Sequence, residues 1–379
     1  MSYEYLVFAQ LLPPAGRDLP PVLQVVFQFQ PHDCLTMEDG ITYQHVYQNT
    51  VNGYLLFYTP ADRIVFITIM SVLSARYGIK IIAVSLMPDH YHLLVEAPGR
   101  YALINFIRTL DSVYAKAFNR SVGRHGRLFN KDFGCAPKRT PKEIISCINY
   151  ILNNPLVKFL DDKVETSRWN YLAYALSKNP FSRPLKLYEA GTSLLKAVKG
   201  VDTIRNNERW MTYDILNRMN SRLSPAECLQ LEDYIISSFL CADYDKASMF
   251  YGSLEKMALA ANYNSGSEYA FAEDMETKDD RAYKQMTDYL LDRKGFKDIK
   301  DVLSLEIERR IDLAIELRMG VCQSTRQVEK FLLLPDGTLY LKREMQVRVR
   351  GYKRVHKLQQ DGTCPRADRQ VKQHLADTQ

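Results

Sequence analysis

The sequence predicts an α+β protein: a small antiparallel sheet with flanking helices in the first half, followed by a mostly helical second half. Three observations predict it. Two apolar runs, the β-branched Ile79 to Met87 and then Tyr91 to Ala97, flank Pro88 and read as neighbouring strands. Helical patterns precede and follow them. From about Val201 onward, helix caps and amphipathic stripes recur without strand-like runs.

Taken in order, Val22 to Gln30 reads as a strand, and Pro60 to Arg76 as a helix with a proline near its first position. The two strands around Pro88 follow. After Pro98-Gly99, Leu103, Ile107, Leu110, Val113 or Tyr114, and Ala117 fall at helical spacing. Thr140-Pro141-Lys142-Glu143 is a capping box that opens another helix. Its predicted stop is Pro155, because the residue before a proline is pushed out of the α region. Ser224-Pro225-Ala226-Glu227 is a second capping box. Leu303, Ile307, Ile311 and Ala314 predict one amphipathic helix ending before Gly320, and Ser324-Thr325-Arg326-Gln327 caps a short helix reaching Leu334-Pro335. Helix, turn and capped short helix form the outline of a helix-turn-helix, which any helical hairpin shares. The expected organisation is an N-terminal stretch over 1–20, a sheet domain over 21–175, a linker with helices over 176–222, a helical domain over 223–337 and a basic tail over 338–379.

A chain of 379 residues can build more than one core. No apolar run approaches the roughly 20 residues of a membrane helix. The proline-rich start lacks the basic and apolar regions of a signal peptide, so a cytoplasmic location is expected. Seven cysteines without a Cys-x-x-Cys pair argue against a disulfide framework or a zinc module. Charge is uneven. From Met87 to Leu160 there are 11 basic against 5 acidic residues, and from Thr338 to Gln379 there are 10 against 4. Two such segments suit a polyanion contacted at two places, or solvated helix faces.

His90 and His92 stand two apart in the second strand around Pro88. Alternation puts such residues on one side, about 7 Å apart, so both imidazoles can reach one cation, given a third ligand. A structural pair bonded to backbone carbonyls is the competing reading. Tyr91 and Leu93 face the other way, toward a core. Tyr150 and Asn154 are four apart in the capped helix, hence neighbours beside its apolar stripe. With 24 tyrosines in the chain, position alone does not single out Tyr150.

Together, Met87-Pro88-Asp89-His90-Tyr91-His92-Leu93-Leu94-Val95, Gly126-Arg127-Leu128-Phe129 with Phe133, and Tyr150-Ile151-Leu152-Asn153-Asn154-Pro155 resemble the three motif blocks of the single-tyrosine HUH transposases. The branch they look most like is the transposases associated with repetitive extragenic palindromes. The resemblance spans roughly residues 20 to 175, including Trp169 to Tyr174. It implies a ferredoxin-like HUH domain that binds single-stranded or hairpin DNA, in a bacterial cytoplasm, and cuts and rejoins it. It implies Tyr150 as nucleophile, forming a 5′-phosphotyrosine, and His90, His92 and Asn154 as ligands of Mg2+ or Mn2+, with nitrogen ligands favouring Mn2+. Asn154 is the least secure of these, since related branches use glutamine there. Asp89 stands where the family often has asparagine, and Tyr91 where a smaller apolar residue is usual. A monomer or a homodimer fits the resemblance equally.

Arg100, Arg108, Lys116, Arg120, Arg124, Arg127, Lys131, Lys138 and Arg139 lie between the histidines and the tyrosine helix, with Tyr114, Phe118, Phe129 and Phe133 interleaved. Such a mix suits a single strand, where charge follows the backbone and rings stack on bases, although each ring alone reads as core. Arg326, Arg348 and Arg350 are the candidate DNA contacts of the second half. Two other functions compete. A transposase-derived DNA-binding regulator would use the C-terminal helices and never cleave. A zinc hydrolase built on His90 and His92 lacks further histidines and suitably placed carboxylates.

Overall fold

The computed structural model describes residues 42–263 and 279–340. The strand predicted over Val22 to Gln30 lies outside them, as do the 1–20 stretch and Arg348, Arg350 and most of the basic tail. The first described strand is β1, Thr42–Asn49. It is followed by helix α1 (Pro60–Tyr77), strands β2 (Lys80–Leu86) and β3 (His90–Ala97), helix α2 (Arg100–Ser121), strand β4 (Gly134–Lys138) and helix α3 (Pro141–Val157). All strand pairs are antiparallel, in the order β2-β3-β1-β4. This βαββαβ order is the ferredoxin-like arrangement, so the α+β class predicted from the sequence is the observed one.

Local chemistry explains most boundaries. Helix α1 opens on Thr59 with a capping box to Asp62 and closes at Gly78, whose φ of 66° needs no Cβ to be accommodated. Its residues Ile64 to Met70 are all buried, as expected of a helix apolar all round and covered on every side. Helix α3 opens on the predicted Thr140–Glu143 box. It does not stop at Pro155 but runs through it to Val157. In a last turn the proline forfeits a single backbone bond, and the Lys158 and Leu160 amides close the end on the carbonyls of Asn154 and Pro155.

The second half comprises α4 (Leu172–Leu176), α5 (Thr192–Asn206), α6 (Tyr213–Asn220), α7 (Pro225–Ser238), α8 (Tyr244–Met249) and α9 (Leu254–Asn262). Beyond the undescribed gap come α10 (Arg281–Lys294), α11 (Ile307–Gly320) and α12 (Thr325–Phe331). The single helix expected through Leu303 and Ala314 is broken. Ile299–Ser304 is a 3-10 segment capped by Asp298. Helix α11 then buries Leu313, Ala314 and Leu317, while Ile307 is 42% exposed.

These helices pack directly on the sheet domain, and the buried apolar residues of both halves form one cluster. Helices α6 and α7 lie on α1, and α8 and α9 on β2 and α3. The Asp243 amide bonds the Ile81 carbonyl, and the Asp280 amide the Lys158 carbonyl. The outline of a helix-turn-helix is present in α11 and α12, but its second helix is only seven residues long and buries all of Gln327 to Phe331. A helix docked in this way cannot lie in a DNA groove. Among the described residues no helix is long and apolar enough to cross a membrane.

Helices α1 and α2 cover the sheet face carrying Tyr91, whose ring lies 5.0 Å from Phe66. On the same face Asp111 of α2 accepts hydrogen bonds from the Gln48 amide (2.7 Å) and the Tyr91 hydroxyl (2.8 Å). Burial pushes its carboxyl up from 3.8 to about 7, against the lowering effect of those bonds. Its folded value therefore lies above its unfolded one, and the stability linked to its proton is present below pH 4 and lost as pH rises toward 7. Asp111→Asn should gain on the wild type across that window, by at most about 1.4 kcal/mol per pH unit for one proton. Melting curves between pH 5 and 7.5 measure the gap; a gap that does not widen rules Asp111 out as the titrating group.

Candidate active site

The opposite face of the sheet carries both motif histidines, because β3 turns Tyr91 and Leu93 into the α1–α2 core. In register on β1, Tyr47 faces His92 and Asn49 faces His90. A third histidine, His45, joins them: its Nε2 lies 3.1 Å from Nδ1 of His92 within hydrogen-bonding distance. The His90 and His92 ring centroids are 4.9 Å apart. Helix α3 sets the Tyr150 ring 5.4 Å from that of His92 and 5.7 Å from that of His45, both edge-on. Tyr47 borders the group, its ring 6.3 Å from His92 and laid over Gly134, where a Cβ would fall 1.8 Å from the ring.

The Nδ1 atoms of both motif histidines are engaged. His90 Nδ1 lies 2.6 Å from Asp89 Oδ1, so with that nitrogen donating, His90 presents Nε2 as its lone pair. If His92 Nδ1 likewise donates to His45, Nε2 is again the nitrogen that would take a cation. Imidazole with one nitrogen bonded to a carboxylate or another acceptor, and the other turned to a metal, is the usual build of a histidine metal ligand. Burial, followed by the fields of His90, His45 and Lys158, pushes His92 well below its ordinary value, which keeps it neutral as a ligand must be. Burial alone would raise the Asp89 carboxyl, but the His90 hydrogen bond and the charges of His90 and Lys330 outweigh it and bring it below its ordinary value. Asp280, which feels Asp89, Lys158, His90 and Lys330, is raised to about 6, chiefly by burial.

Asn154 lies one turn beyond Tyr150 on α3 and is 3% exposed. Among the described residues, its amide nitrogen and the Tyr150 hydroxyl are buried without a hydrogen-bond partner. Buried polar atoms are seldom left so, and those that are call for a water, an ion, a ligand or a chemical role. Among the described residues no three His, Cys, Asp or Glu side chains group as a metal site. A cation held by His90 and His92 could take the Asn154 amide oxygen as a third protein ligand, as the motif resemblance implies. The donor set of two imidazoles and one amide fits a divalent ion that keeps open positions, such as Mg2+ or Mn2+.

The basic residues divide. Arg108, Lys116, Arg120, Arg127, Lys131 and Arg139 are exposed, but the first three lie on α2, on the far side of the sheet from the histidines. Arg100 is half-buried. Lys138 shares the histidine face at the β4 edge, opposite Tyr43. Arg124 is used within its own loop, donating to Asn119 Oδ1 and to the carbonyls of Gly126 and Arg127. Arg326 is paired with Asp336 at 2.8 Å. Of the interleaved aromatics, Tyr114, Phe118 and Phe129 are core and Phe133 packs against it, so none of the first three is a stacking platform.

His45, Tyr47 and Lys330 join the predicted residues at the site. His45 and Tyr47 were open to discovery, since they alternate along Thr42–Asn49. The strand's other face carries only Val46 as an apolar residue, between Gln44 and Gln48, so the hydrophobic alternation that marks a strand is missing.

Residues 44–154 match the family model described as "Transposase IS200 like", the kind of protein that the motif blocks resemble. The match spans less than a third of the chain. A solved structure of the REP-associated tyrosine transposase bound to a REP hairpin is similar at 17% identity, over 41% of this chain and 92% of that chain, with a TM-score of 0.28. No curated protein matches the chain.

Proposed function

We propose that this protein cuts and rejoins single-stranded or hairpin DNA, with Tyr150 as the nucleophile and a divalent cation held by His90, His92 and Asn154. The observation that carries the reading is the buried Tyr150 hydroxyl, without a hydrogen-bond partner among the described residues and set beside His92. The Tyr171 and Tyr283 hydroxyls are buried without a partner among those residues as well, so what singles Tyr150 out is its ring set edge-on to His92 and His45. In the proposed step the Tyr150 oxygen attacks phosphorus as the bond to the 3′-oxygen breaks. The phenolic proton is given up, the departing oxygen takes one, and a 5′-phosphotyrosine and a free 3′-hydroxyl remain. The phosphotyrosine keeps the linkage for rejoining by the reverse step. A phenol with a pKa near 10 is a weak nucleophile at neutral pH. When bound, the cation supplies charge to the phosphate oxygens in the transition state. His45 and Asp89 hold the two ligand rings in place. Tyr150 is 8% exposed and His92 2%.

The test is an end-labelled hairpin oligonucleotide incubated with the full chain and Mn2+, then resolved on a denaturing gel. A covalent protein–DNA species that disappears with chelator supports the reading. Hairpin binding without a covalent species under any divalent cation would leave the non-cleaving regulator as the function.

A further inference from the structure

The contact that ties the last described helix to the motif histidines spans 241 positions of sequence. Lys330 of α12 places its Nζ 3.1 Å from Asp89 Oδ2, while the other carboxylate oxygen of Asp89 holds His90 Nδ1 at 2.6 Å. The Lys330 side chain is 5% exposed and that of Asp89 16%. A lysine is rarely buried unless its charge is matched, and this one is housed with care. Its stem runs against Gly53, where φ is +63° and an added Cβ would fall 2.7 Å from Lys330 Cε. Its carbonyl accepts from the Leu55 amide, and the next carbonyl, of Phe331, accepts from the Tyr58 hydroxyl. The loop that carries these groups also holds the turn before His90, since the Leu56 and Phe57 amides both bond the Pro88 carbonyl.

We infer that Lys330 is a positioning residue of the candidate site: by gripping one oxygen of Asp89 it fixes the other on His90, so that the helical half of the chain helps to hold the cation. The inference rests on the proposed metal role of His90 and His92. It assigns the second half a part in the nuclease site itself, distinct from reading DNA. A carboxylate bound only to His90 would be freer to rotate about its own side-chain torsions. Gripped from both sides, it fixes the ring whose Nε2 faces the cation, and partners of this kind commonly change metal affinity by about 10- to 100-fold.

Calorimetric titration of Mn2+ into the full chain, without DNA, tests this. Lys330→Met should bind Mn2+ about 10- to 100-fold more weakly than wild type. If Lys330 acts through Asp89, the double variant with Asp89→Asn should bind no more weakly than Asp89→Asn alone. Lys330→Gln keeps the stem and an N–H donor but not the charge, and makes the same comparison should the methionine variant fail to fold. Wild-type affinity in a folded Lys330 variant, with binding abolished in His92→Ala, overturns the inference and leaves the metal reading standing. Additive losses in the double variant overturn it as well. A wild-type chain that takes up no Mn2+ overturns the metal reading and this inference together.

Discussion

Tyr150→Phe should form no covalent adduct with a hairpin oligonucleotide, a loss of at least about a thousandfold, because the attacking oxygen is gone while the ring remains. The variant should also fold as well as the wild type. The hydroxyl it removes is buried without a partner among the described residues, so no hydrogen bond is lost and an unsatisfied group is removed. Normal melting and normal hairpin affinity would then confine the defect to the chemical step. Tyr47 supplies the control. Its ring also borders His92, and Tyr47→Phe should keep the adduct. If the adduct survives in Tyr150→Phe and vanishes in Tyr47→Phe, the nucleophile is on β1, and the role assigned to α3 is wrong. Mass spectrometry of the DNA-linked peptide identifies the tyrosine directly.

Asp62→Ala should cost about 3 to 5 kcal/mol of stability, read from denaturant unfolding. Asp62 is fully buried at the start of α1. One oxygen accepts from the Tyr58 and Thr59 amides and the Thr59 hydroxyl. The other accepts from the Tyr213 hydroxyl at 2.7 Å and the Lys300 ammonium at 3.0 Å. Alanine would leave Lys300, only 10% exposed, without that carboxylate and several donors unsatisfied, which is the expensive way to break a buried pair. Because Tyr213 and Lys300 belong to the second half, the loss should appear as weaker docking of that half on α1. Asp62→Asn should cost less, since an amide oxygen still accepts. An alanine variant within about 1 kcal/mol of wild type would show that the cluster is dispensable.

Much of this was written locally. The apolar runs around Pro88, the Thr140–Glu143 box and the stripe through Leu103 and Leu110 depend on neighbours within a few residues, and each appeared near its expected place. The same holds for Ser224 and Ser324, whose side chains accept from the third amide onward as their caps require. Local rules failed where packing outweighed them. Pro155 stays in a helix because the last turn bears the loss, and β1 carries polar Gln44, His45 and Gln48 whose partners Cys135, His92 and Asp111 come from other elements, so it lacks an apolar alternation.

The sequence by itself determined the β2–β3 pair, the side of β3 on which His90 and His92 lie, and the helical spacing that makes neighbours of Tyr150 and Asn154. These follow from periods of two and about 3.6 residues, which are properties of the backbone. Only the tertiary structure decided that His45 backs His92, that α2 carries its exposed arginines away from the site, that α12 is buried, and that Lys330 reaches Asp89. Those facts depend on which surfaces meet when one core forms from both halves of the chain, and no local pattern records a meeting between residues so far apart along it.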